Sequence, residues 1–89
     1  MFNFRFDTTL FQTATAHRRL GFNEEALDII SFLETRSKGT VSELVQMEKA
    51  LTLQQSKRFA DARDTLARFL QKYPESPYDA EARQLLARI

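Results

Sequence analysis

Apolar residues return along this chain every three or four positions, in five stretches separated by short polar, glycine- or proline-bearing breaks. Ala26, Ile29, Ile30 and Leu33 share one side of the second stretch. Leu44, Met47 and Leu51, with Val45 and Ala50 beside them, do so in the third. Phe59, Ala62, Leu66, Phe69, Leu70 and Tyr73 make a broad stripe in the fourth. Spacing of this kind lines one side of an α-helix. The breaks predict helices over about residues 7–20, 23–37, 41–56, 58–73 and 77–88, joined by connections short enough to make neighbours antiparallel. Gly21 and Gly39 stand where a left-handed residue would close a last turn. Asn23 and Thr40 read as N-caps, Thr40 with Glu43 as a capping box, and Ser76-Pro77 as the start of the last helix. The expected fold is all-α, two antiparallel helix pairs followed by a single C-terminal helix.

Residues 1–6 break this rhythm. Phe2, Phe4 and Phe6 alternate with Asn3 and Arg5, a period of two that predicts an N-terminal aromatic arm ahead of one helical domain over 7–89. Leaving three phenylalanines in water costs roughly 2 kcal/mol each. The arm is therefore read as packed on its own domain or as an anchor for a partner or a second copy.

Displaced by thirty-six residues, the chain matches itself: Ala14 falls on Ala50, Ala26 on Ala62, Ile30 on Leu66 and Leu33 on Phe69. In each copy a small residue in either helix of the pair allows close approach, and larger residues one turn on fill the space towards the following helix. Lys57-Arg58-Phe59-Ala60-Asp61-Ala62, followed by Leu66, Phe69-Leu70 and Pro74, resembles the second half of a tetratricopeptide repeat. Gly21-Phe22-Asn23-Glu24-Glu25-Ala26 resembles the same turn in an earlier copy; the later copy carries Lys57 or Ser56 in place of the glycine. Glu24 through Glu34 of the second helix is similar to the small tetratricopeptide chaperones of type III secretion needle subunits, and the proline-bearing passage around Pro74 to that of envelope-assembly adaptors.

The resemblance implies a protein without catalytic chemistry that holds a peptide or an amphipathic helix in a concave groove lined by the first helix of each pair. Carried onto this chain, that face takes Phe11, Thr15, Arg18 and Arg19 from the first pair and Leu44, Met47, Leu51, Gln54 and Gln55 from the second. Leu44 and Leu51 fit either core or groove, and Met47 is placed in the groove, where its soft side chain tolerates imprecise fits. Adjacent Arg18 and Arg19 point about a quarter-turn apart, so they read as solvated and not as a clamp for a terminal carboxylate.

Composition narrows the alternatives. Thirteen basic residues against twelve acidic ones leave a formal charge of +1, without the basic excess that phosphate binding demands. A helix-turn-helix DNA-binding regulator remains an alternative because Gly21 separates two short helices, although Glu24, Glu25 and Asp28 on the second would repel phosphates. With no cysteine and one histidine, His17, a zinc site would rest on carboxylates alone. No phosphate loop, nucleophile elbow or calcium loop is present in the sequence, so no enzyme, cofactor or metal is expected. The first residues lack the pattern of a signal peptide, and the expected location is cytoplasmic.

Overall fold

The computed structural model describes the backbone of residues 4–89 and the side chains from residue 7 onward. Five helices, α1 (Phe4–Arg19), α2 (Asn23–Glu34), α3 (Thr40–Gln55), α4 (Phe59–Lys72) and α5 (Asp79–Arg88), account for all the regular structure among the described residues. Connections of three, five, three and six residues turn each helix back onto its predecessor. α1 packs on α2, α2 on α3, α3 on α4 and α4 on α5, and α1 also meets α3. The result is an all-α stack of two helix pairs and a closing helix, 34 × 29 × 17 Å.

The thirty-six-residue match becomes the core. All eight matched residues, from Ala14 and Ala50 to Leu33 and Phe69, are at most 2% exposed. They fall into two clusters. Ala14, Ile30, Leu33 and Val45 join the first pair to α3; Met47, Ala50, Leu66, Phe69, Ala82 and Leu85 join the second pair to α5. Each cluster is filled by the unit that follows it, the arrangement of a solenoid in which neighbours bury one another's apolar faces.

The repeat also extends to backbone hydrogen bonds. After α1, Phe22 N–H donates to the His17 carbonyl at 2.8 Å and Gly21 N–H to that of Arg18 at 3.0 Å. Thirty-six residues on, Arg58 N–H donates to Leu53 at 2.8 Å and Lys57 N–H to Gln54 at 3.0 Å. Both are Schellman closures, with Gly21 at φ 85° and Lys57 at φ 65°. Glycine adopts that conformation freely, whereas a Cβ beside the following carbonyl makes it costly for lysine. Lys57→Gly is expected to raise stability by about 1 kcal/mol, read as a higher urea midpoint at unchanged m-value.

Several helix ends differ from expectation. α1 begins at Phe4, so Phe4-Arg5-Phe6 belongs to its first turns and not to a separate arm. Nothing between Phe6 and Asp7 breaks a helix. Phe2 and the side chains of Phe4 and Phe6 lie outside the described residues. α2 stops at Glu34, three residues short of expectation, and beyond it Thr35 and Ser37 donate their hydroxyls to the carbonyls of Phe32 and Leu33, at 2.9 and 2.7 Å. Phe22 and Gly39 occupy the cap positions assigned to Asn23 and Thr40, each of which is instead the first helical residue. Ser76 closes a turn, accepting the Tyr78 N–H at 3.1 Å, and α5 starts only at Asp79.

Candidate partner-binding surface

The face expected to receive a partner is built from α1 and α3, the first helix of each pair. On α1, Phe11, Thr15 and Arg18 lie at one-turn intervals, and on α3 so do Leu44, Glu48, Leu51 and Gln55. The two helices are tied together in the middle of this face by Glu48, which is 6% exposed. Its Oε1 accepts the Thr15 hydroxyl at 2.8 Å, and its Oε2 pairs with Arg18 Nε. At the far end Gln55 donates through Nε2 to the Arg18 carbonyl and to Asn23 Oδ1, both at 2.6 Å. Thr15, Arg18 and Gln55 thus serve an internal junction between the pairs, with Arg18 committed to a carboxylate of its own chain. Arg19 is exposed on the next helical position.

Met47 is corrected outright. It is 5% exposed and sits in the second core cluster with Ala50, Leu66 and Phe69, so it lines no open groove. The physical reason is the position of α3, which meets α1, α2 and α4 and is buried on nearly every side, at Val45, Met47, Glu48, Ala50, Thr52 and Leu53. An apolar stripe on such a helix does not distinguish an inner from an outer face. Phe11, thirty-six residues before Met47, is half-buried against the first cluster, and Leu51 is half-buried against the second. Leu44 and Gln54 are also half-buried. Of the apolar residues assigned to this face, Phe11 on α1 and Leu44 and Leu51 on α3 keep partial exposure, the two leucines standing on either side of buried Glu48.

Sequence reasoning passed over three features. The first is the Glu48 junction just described. The second is Asp7, 1% exposed at the start of α1, with both carboxylate oxygens at 3.2–3.3 Å from Arg36 Nε beyond the end of α2. These pairs span 30 and 29 residues, a separation at which no local pattern announces them. The third is an open apolar hollow of about 330 Å³ on the outer side of the first pair, lined by Leu10, Asp28, Ile29 and Phe32. Its signal was available. Thirty-six residues on, Asp28 meets Asp64 unchanged, but Leu10, Ile29 and Phe32 are replaced by Gln46, Thr65 and Arg68, so the first copy carries three apolar residues where the second carries polar ones.

His17 places Nδ1 2.8 Å from the Thr13 carbonyl and its ring 6.0 Å from that of Phe22, at the first inter-helix turn. Among the described residues no three His, Asp or Glu side chains converge as a metal site would require, and no helix is long and apolar enough to cross a membrane. Searches against protein-family models, curated proteins and solved structures find no match to this chain.

Proposed function

We propose that this protein is a non-catalytic, tetratricopeptide-like module that holds an amphipathic helix of another polypeptide along the face shared by α1 and α3. The observation that carries the reading is the strip formed by Leu44 and Leu51. They are seven residues apart on α3, half-buried, and separated by a carboxylate already neutralised within the chain. Two leucines two turns apart match the i, i+7 anchors of a helix laid in a groove. The Arg18–Glu48 pair between them gives polar register without a net charge to repel either kind of partner. Phe11 and Gln54 extend the strip at its edges. A chaperone that keeps a secreted helical subunit from polymerising, as in type III secretion, uses such a surface, and so does an envelope-assembly adaptor; both hold an amphipathic helix and need no chemistry.

The test is copurification from the native host with identification of the bound polypeptide, repeated with Leu44→Asp. Leu44 is only half-buried, so the variant is expected to cost about 1–2 kcal/mol of stability, leaving the domain folded, while lowering affinity at least roughly tenfold. A bound protein retained at full affinity by Leu44→Asp places the binding surface elsewhere. Tight, salt-sensitive retention of duplex DNA in a gel shift would favour the helix-turn-helix alternative, against which stand the exposed Glu24, Glu25 and Asp28 of α2.

A further inference from the structure

A cleft of about 280 Å³ opens where the end of α2, the start of α3 and the last turns of α4 meet. Its lining runs from Glu34 to Tyr73, so neither end of the chain enters it. It is separate from the α1–α3 face. Ser42 and Gln46, its residues from α3, lie on the opposite side of that helix from Leu44, Glu48 and Leu51.

Hydrogen-bond donors dominate the cleft. Ser42 Oγ and Tyr73 OH stand 2.9 Å apart, a contact that uses one of their two hydrogens and leaves the other free. Gln46 spends one amide hydrogen on Glu34 at 2.8 Å and keeps its second. Lys72 has no ion pair among the described residues, which include all twelve acidic ones. Its ammonium rests 5.4 Å from the Tyr73 ring centroid. The other charges are answered within the chain, Glu34 by Lys49 at 3.1 Å and Arg68 by Asp64 at 3.0 Å. Glu43 and Glu75 open onto the adjoining hollow, which shares Tyr73 as a wall. The cleft is left with one unmatched positive charge, spare neutral donors, and an apolar wall made by the rings of Phe69 and Tyr73, 5.2 Å apart between centroids.

We propose that this cleft binds a small aliphatic carboxylate. A single negative charge matches the single unmatched ammonium. Its two oxygens serve Lys72 and the spare hydroxyl or amide hydrogen together, in charge-assisted bonds. A short methylene chain then lies against the two rings, the usual division of a small-molecule site into an apolar wall and a few placed polar groups. A phosphate dianion would bring a second charge that no cation of the cleft is free to meet, beside the carboxylate of Glu34. The ligand comes either from a free short-chain acid or from a glutamate side chain of another polypeptide, and the chemistry that recognises both is the same.

Backbone amide shifts of the full chain, followed by NMR during titration with butyrate at constant ionic strength, test this. Saturable shifts are expected at Ser42, Gln46, Lys72 and Tyr73. Lys72→Gln, at an exposed position, is expected to weaken binding at least about fivefold. Ser42→Ala or Tyr73→Phe alone still leaves one hydroxyl hydrogen for the ligand. The double variant removes both without changing any charge and is expected to lose about fivefold, which diffuse attraction to a lysine would not show. A blocked tripeptide with a central glutamate separates the sources. If it saturates the same amides, acidic side chains are ligands; if butyrate alone does so, the ligand is a free acid. No saturation with either probe overturns the proposal. So does inorganic phosphate bound at the same amides as tightly as butyrate, or an affinity that neither Lys72→Gln nor the double variant lowers.

Discussion

Ala62→Asp is expected to leave the chain unfolded at room temperature. Ala62 is fully buried in α4, which packs on α3 and α5, and its counterpart Ala26 is fully buried in the first pair. Nothing at that contact is shaped for a carboxylate. Forcing one in costs about 1–3 kcal/mol for overpacking and several more for removing a charge from water without a partner. A domain of this size has only about 5–10 kcal/mol of stability to lose. Ala60→Asp, two residues earlier on the exposed side of the same helix, is the matched control. There the new carboxylate meets the positive end of the helix dipole and is expected to change stability by no more than about 0.5 kcal/mol. Far-UV circular dichroism and urea titration of the two variants make the comparison. A cooperatively folded Ala62→Asp would mean that this alanine is not enclosed by the stack.

The contrast between those alanines shows where the sequence is informative. Ala14, Ala26, Ala50 and Ala62 were legible as core because a small residue in each helix of a pair, followed by larger ones a turn on, is a local signature of close helix contact. The self-match repeats it. The turn chemistry was legible only in part. Gly21 announces its closure, but Lys57 makes the same closure with no residue preference to mark it. Helix ends drifted by one to three residues, as at Glu34, where no glycine or proline marks the stop of α2. Least legible were the decisions made between distant segments. That Arg18 would be held by Glu48 and Asp7 by Arg36 depends on which faces α1, α2 and α3 present once stacked, and hydrophobic period alone does not fix that rotation. The binding face suffered most for this reason. Three of its predicted polar members, Thr15, Arg18 and Gln55, turned out to hold the stack together.

Met47→Glu carries the correction to its experimental consequence. Were Met47 on an open groove, the substitution would leave folding untouched and abolish only partner binding. Its place beside Ala50, Leu66, Phe69 and Ala82 makes the opposite outcome the expected one. A glutamate there has no cation within the cluster to pair with, since every member of the cluster is apolar, and must either stay charged in an apolar enclosure or take up a proton. Together with the lost methionine packing this costs about 4 kcal/mol, roughly 20 °C in melting temperature for a domain of this length. Met47→Leu, which keeps both volume and apolar character, is expected to stay within about 1.5 kcal/mol of the wild type. Leu44→Asp, three residues away but only half-buried, separates the two surfaces of α3: it should retain the fold and lose the partner, whereas Met47→Glu should lose the fold first. If Met47→Glu melts like the wild type, α3 is rotated about its axis relative to this packing, and the strip of Leu44 and Leu51 is then the buried side.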